Sequence, residues 1–221
     1  MKNFNLQYFI YGLIFISFGL FIGILYFFPL AEQEKTFLNY LKIVPTVVTI
    51  DLFIVLLFSK YLWKLWIFKS WLVMIPNLNG TWKGTIKSNW INPKINEKPA
   101  PIPVILTIKQ TLFHISCVMR TQEMASYSFT SGFMVDEESQ MKRLAYSYNS
   151  KPSLDVRQRS PEHFGTIFFD IVEKPDLRMK GEYWTERNTT GIIEMTYWKS
   201  EKLDYYPDDL GEHPVSKNEG L

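Results

Sequence analysis

Residues 76–88 read PNLNGTWKGTIKS, and the way this stretch alternates decides the fold. Thr81, Lys83, Thr85 and Lys87 fall on one face, and Trp82, Gly84, Ile86 and Ser88 on the other. A period of two with polar and apolar sides is the mark of a half-buried strand. The pattern continues downstream. Candidate strands cover residues 80–88, 102–110, 112–120, 125–135, 141–149, 163–172, 178–185 and 191–200. The connectors carry turn chemistry: 136–140, 173–176 with Pro175, and 186–190 are short, while 90–101 and 150–161 are longer and contain proline. No segment between them has a useful helical period. Consecutive antiparallel strands leave two open edges unless they close on themselves. An antiparallel eight-stranded up-and-down β-barrel removes both edges, and a two-sheet β-sandwich is the alternative.

Upstream the pattern is different. No charged side chain occurs from Asn3 to Ala31, and residues 9–30 read FIYGLIFISFGLFIGILYFFPL. About 20 apolar residues span a bilayer core. A cleaved signal peptide would have a shorter apolar run and small residues at its exit, whereas Tyr26, Phe27, Phe28 and Pro29 stand there. A second apolar run covers residues 43–59, followed by an interfacial collar to residue 75 in which Lys60, Tyr61, Trp63, Lys64, Trp66, Lys69 and Trp71 alternate. The linker 32–42 is short, so the two helices form a transmembrane hairpin. Lys60, Lys64, Lys69, Lys83, Lys87 and Lys94 follow the second span with no acid until Glu97, and Lys2 precedes the first. The positive-inside rule then places both termini in the cytoplasm. Within the spans, Gly19 and Gly23 have GxxxG spacing, a device for close helix approach, though glycine is frequent in such helices anyway. Asp51 is the one charge in the second span. It reads either as a pore-lining or oligomer-contact residue or as a carboxylate that merely tolerates its place.

The predicted organisation is therefore a membrane domain at 1–75, a cytosolic β-domain at 76–200 and a disordered tail at 201–221. The tail has six acids, two lysines and two prolines without periodicity. Across 221 residues the net charge is +2, which does not indicate a bulk polyanion binder such as DNA or RNA. A single cysteine, Cys117, forbids an intrachain disulfide and leaves a cysteine-based zinc site without ligands. Phosphate-cradling glycine loops, GxSxG, HExxH and DxDxDG are absent. His114 reads as a structural histidine on the third strand. No catalytic residue, metal or cofactor is predicted, and the protein does not read as an enzyme.

The positive chemical signal is a set of aromatics and cations. Tyr146 and Tyr148 share one strand face, Tyr183 and Tyr197 lie on the apolar faces of two late strands, and Arg120, Arg143, Arg157, Arg159 and Arg187 fall at strand ends or loops. Tyrosines can stack on bases and arginine can grip phosphate. Tyrosines also simply fill barrels, and arginines decorate rims. Arg120, Arg143, Tyr146, Tyr148, Tyr183, Arg187 and Tyr197 are the candidate ligand-binding set, and Trp82 is the candidate plug of one barrel end.

Two N-terminal spans followed by Asn79-Gly80-Thr81-Trp82-Lys83-Gly84-Thr85-Ile86 and a β-rich domain resemble the two-transmembrane β-barrel effectors of bacterial CBASS anti-phage defence, the CD-NTase-associated protein 15 family. Lipocalin-like barrels also open with a Gly-x-Trp, so a lipocalin- or streptavidin-like fold is implied; the missing signal peptide and the cytosolic side set the chain apart from those. The resemblance implies a cyclic dinucleotide ligand made by a cognate nucleotidyltransferase. It further implies self-association on binding, disruption of the inner membrane, and growth arrest or death of the infected cell. A membrane-anchored carrier for an apolar ligand and a purely structural membrane protein are the competing readings. The first of these would use inward-facing Ile86, Leu106, Ile108, Ile193 and Met195.

Overall fold

The computed structural model describes residues 3–93, 95–136 and 138–219. Lys2 and Lys94 of the basic set, Glu137 of the 136–140 turn and the last two tail residues lie outside the described residues. Two compact units divide the chain, one comprising Lys2–Met74 and the other running on from Ile75.

In the first unit, α1 (Leu6–Phe27) and α3 (Val44–Lys60) are the two long apolar helices. Helix α1 stops two residues before Pro29, as a residue preceding proline is pushed out of the helical region. The linker contains a further short helix, α2 (Phe37–Leu41), and Pro45 sits in the first turn of α3, where its missing N–H costs nothing. The Ser17 hydroxyl on α1 donates to Asp51 Oδ2 on α3 at 2.7 Å, while Asp51 Oδ1 is buried with no partner among the described residues. Phe9 packs on Phe58 with ring centroids 5.1 Å apart. Gly19 and Gly23 have open space around them, so the GxxxG pair makes no close contact within the chain. The collar does not continue α3. It breaks into 3-10 turns at Leu62–Lys64 and Trp66–Phe68, and the backbone of Asn3 and Asn5 then bonds to that of Met74 and Leu72.

The second unit is a closed barrel of eight antiparallel strands, each paired with its sequence neighbours: β1 (Gly80–Ser88), β2 (Ile102–Gln110), β3 (Ile115–Arg120), β4 (Met124–Asp136), β5 (Met141–Pro152), β6 (His163–Val172), β7 (Arg178–Thr185) and β8 (Thr190–Lys199), with β8 returning to β1. Strand β3 starts later than expected because Thr111 and His114 exchange backbone and side-chain bonds in a turn, which leaves His114 exposed and outside the strand. Strand β5 runs further than expected, through Ser150, which bonds across to Ser126. A bulge on β4 absorbs Phe129. The core is a column of inward side chains that includes Leu106, Ile108, Cys117, Leu144, Tyr146, Phe169, Ile193 and Met195. Ile86 is only partly buried at the edge of this column.

One end of the barrel is shut. Trp82 is fully buried and its indole N–H donates to the Leu78 carbonyl at 2.9 Å. Leu78 N donates to Gln110 Oε1, and Gln110 Nε2 donates to the Pro76 carbonyl. Trp82, the candidate plug of the Gly-x-Trp motif, is held in place by this network.

Residues 201–219 differ from the predicted disordered tail. They fold back on the outer face of β1 and β2, where Thr81 bonds to Glu201 and Leu203, and Thr107 bonds to the Leu203 carbonyl. The acids Glu201, Asp204, Asp208, Asp209 and Glu212 are exposed, while Leu203, Pro207, His213, Val215 and Ser216 are buried. A few spaced apolar anchors suffice to fix a segment with no helical or strand period. The segment ends in a short helix, α4 (Pro214–Glu219).

Candidate ligand-binding site

The other end of the barrel is open. There the loops β1–β2, β3–β4, β5–β6 and β7–β8 surround a cavity of about 380 Å³ whose floor is apolar (Ile86, Met119, Ile167 and Ile193) and whose wall is polar. That size falls within the range of about 300–1,000 Å³ typical of small-molecule sites.

Three of the seven predicted binding residues line it: Tyr148, Tyr183 and Arg187. Strand parity brings them together. Inward positions on β5 are Leu144, Tyr146 and Tyr148, and on β7 they include Met179 and Tyr183. Each tyrosine stands opposite a glycine in the neighbouring strand, Tyr148 facing Gly165 on β6 and Tyr183 facing Gly191 on β8. A Cβ at Gly165 would collide with the Tyr148 hydroxyl, and one at Gly191 with the Tyr183 ring. The glycines therefore let the rings lie across the adjacent strand at the cavity edge, an aromatic-over-glycine pairing. Burial raises both phenols above the ordinary tyrosine value, so they stay neutral and can donate.

Arg187, on the β7–β8 loop, has no ion pair among the described residues. Its Nη1 donates weakly to Ser160 Oγ (3.3 Å) and the Pro161 carbonyl (3.4 Å). Burial lowers its pKa from the ordinary guanidinium value, partly offset by Tyr148, Tyr183 and Glu186 nearby. A desolvated cation satisfied only by neutral oxygens is a ready partner for an anion. His163 beside it is 3.0 Å from the Pro161 carbonyl through Nδ1, and burial lowers its pKa.

The other four candidates do not line the cavity. Tyr146 sits one inward position deeper, enclosed in the core with a hydroxyl that has no partner among the described residues. Arg143 alternates with Leu144 and so faces outward, pairing with Asp170 at 2.7 Å and lying over the Phe168 ring. Arg120 alternates with inward Met119 and also faces outward, with Nη1 buried and without a partner among the described residues. Tyr197 stands at the shut end, edge-on to Trp82 at 5.5 Å. Adjacent strand positions face opposite sides, so an arginine next to an inward residue points away from the lumen.

Sequence reasoning missed a second charged group at the same mouth. Glu123, on the β3–β4 loop, is met by Arg159 Nη2 at 2.7 Å, His213 Nδ1 at 2.7 Å and Ser216 Oγ at 2.5 Å. Burial pushes this carboxyl up, but the bonds from His213, Arg159 and Ser216 outweigh it and hold the pKa down at about 2. Glu123, Arg159 and His213 all line the cavity. They come from positions 123, 159 and 213, so no local motif could have joined them.

A closed β-barrel whose loops ring one cavity at an open mouth, the opposite end being plugged, is a ligand-binding barrel; here it follows two apolar helices long enough to cross a membrane. Comparison with known families narrows this. Residues 73–197 match the family described as Cap15, cyclic dinucleotide receptor domain, and the chain belongs to that family. It is 25% identical over 158 residues to a CD-NTase-associated protein 15 from Staphylococcus schleiferi, covering 72% of this chain and 80% of that protein. It is 29% identical over 167 residues to a protein of the same name from Escherichia albertii, covering 71% of this chain and 80% of that one.

Proposed function

We propose that this protein is a membrane-anchored effector of a CBASS defence system, whose barrel mouth binds a cyclic dinucleotide. The observation that carries the reading is the pairing of two neutral tyrosine rings with the unneutralised Arg187 around one cavity, in a domain that matches a cyclic dinucleotide receptor. Such a ligand has two flat bases and two phosphates. Tyr148 and Tyr183 supply faces for the bases, and Arg187 supplies a phosphate contact. The ligand is an activating messenger rather than a cofactor, and the protein acts as a receptor rather than an enzyme.

The two apolar helices anchor the chain in the inner membrane with both termini cytoplasmic, in line with Lys60, Lys64 and Lys69 after α3. Ligand binding promotes self-association, and the clustered spans then breach the bilayer and arrest or kill the infected cell. A ligand can drive that change only by binding the associating form better. Asp51, with one oxygen unpartnered, is available to a neighbouring chain or to water in the assembled state.

The test uses the full chain in detergent micelles, titrated with a panel of 3′,3′-linked cyclic dinucleotides, recording thermal unfolding and sedimentation together. Saturable stabilisation by one member with growth to larger species is expected. No response from a folded protein overturns the reading and favours the apolar-ligand alternative, for which the aliphatic cavity floor speaks. Asp51→Asn is expected to abolish toxicity in cells and leave binding intact; loss of binding would refute the division of labour between barrel and spans.

A further inference from the structure

The cavity has one wall that the matched receptor domain does not supply. That match ends at residue 197, yet His213 and Val215 line the mouth. The segment carrying them is held in two separate ways. Its first part is tied to the barrel wall by Thr81 and Thr107, and Pro207 is buried there. Its last part is held at the mouth by the Glu123 carboxylate and by Gln122, whose side-chain oxygen accepts from His213 N at 2.5 Å. Between the two lies Gly211, at φ 94, with open space about its Cα. Only glycine adopts this backbone readily, so the chain has a natural pivot between its fixed part and its mouth part.

Arg159 links this arrangement to the ligand space. Its guanidinium lines the cavity and at the same time bonds to Glu123 at 2.7 Å and to Ser216 Oγ at 2.9 Å. The cavity of about 380 Å³ is at the small end of the range for ligand sites, and a ligand with two bases, two riboses and two phosphates needs the larger end. The C-terminal segment, which brings His213 and Val215 to the lining, is a wall that can yield without breaking a strand ladder.

We propose that this C-terminal segment is a latch across the barrel mouth, closed on Glu123, and that a phosphate of the ligand opens it by taking Arg159. The inference rests on the messenger reading above. The exchange replaces one anion on the guanidinium by another and leaves no buried cation unpaired. Withdrawing Arg159 breaks its bond to Ser216, one of those that seat α4, and takes the cationic partner from the Glu123 carboxylate to which His213 and Ser216 are tied; the segment then swings about Gly211 while Leu203 stays in place. Latch and ligand then oppose each other, and by linkage each weakens the other by the same factor.

Two variants of the full chain in lipid nanodiscs test this: a truncation after Pro207, and Val215→Asp, which puts a carboxylate at a buried position beside Ser216, a partner of Glu123. The probes are cyclic di-AMP, cyclic di-GMP and cyclic GMP-AMP. Both variants are expected to bind the preferred member on the order of 10-fold more tightly than the unaltered chain. In the unaltered chain, that member is expected to speed hydrogen exchange at the amides of residues 211–217 while the strands are unchanged or more protected. Equal or weaker binding by both variants, or slower exchange at 211–217 on addition of ligand, overturns the latch and makes the segment a fixed wall. Binding of no member by any form overturns the messenger reading and the latch with it, an outcome distinct from the failure of the latch alone.

Discussion

The two ends of the barrel are made from the same eight strands and differ in how their polar groups are used. At the shut end Trp82, Leu78, Gln110 and Asn79, together with the Pro76 carbonyl, form a set in which the indole N–H, the Leu78 N–H, the two side-chain amides and the Gln110 N–H each meet an acceptor within the set. At the open end Arg187 leans on two neutral oxygens at 3.3 and 3.4 Å, and Glu123 recruits partners from two distant parts of the chain. A saturated end has nothing left to offer a ligand and contributes stability. An undersatisfied end is less stable than it could be, and that deficit is what an anion can fill.

The largest expected effect separates the ends most cleanly. Trp82→Ala removes a fully buried indole and should cost about 4 kcal/mol of barrel stability, read as a fall in urea midpoint, with the remaining folded protein keeping its ligand affinity. Equal loss of affinity would mean that the shut end helps form the site. Next, Arg187→Ala should weaken cyclic dinucleotide binding about 100-fold by calorimetry while leaving the urea midpoint within error or slightly raised, because a half-buried cation without an ion pair among the described residues is removed.

Acid gives a third, smaller effect, confined to the mouth. The Glu123 pKa is depressed in the folded protein to about 2, against about 4.3 for an unfolded glutamate. The stability it contributes is therefore fully present above the unfolded value and is lost as pH falls from there through the folded value. Docking of residues 213–216 should weaken by about 2 kcal/mol over that window, detected as increased proteolysis of the tail before the barrel unfolds. Glu123→Gln should flatten this dependence. The smallest effect is Arg143→Ala. On the outer wall its pair with half-exposed Asp170 should change affinity less than about twofold and stability by under about 1 kcal/mol.

Much of this contrast was readable in the sequence because it is periodic. Strands β1, β2, β6 and β7 fall where the two-residue alternation puts them, and the Gly-x-Trp motif locates the plug. Tyr148, Tyr183 and Arg187 were legible as inward or rim positions. Arg120 and Arg143 were not separable from them, since composition does not say which face of a strand end a long cation takes. The mouth cluster was illegible for a different reason. Glu123 meets Ser216 across 93 residues and Arg159 across 36, and the tail that supplies Ser216 has the acidic, proline-containing composition of a solvated segment. Its docking depends on partners that exist only after the barrel has closed.

The opposition of Tyr148 to Gly165 and of Tyr183 to Gly191 also means that space at the mouth is allotted to pairs of positions. One large and one absent side chain share a slot, and the register does not dictate which strand carries which. Exchanging the members of a pair, as in Tyr148→Gly with Gly165→Tyr, would keep the volume of the wall and carry the flat surface one strand along, about 4.8 Å. The barrel mouth is in this sense a dial with two settings per pair, on which the spacing between stacking surfaces, and so the span of ligand accepted, could be reset without rebuilding the fold.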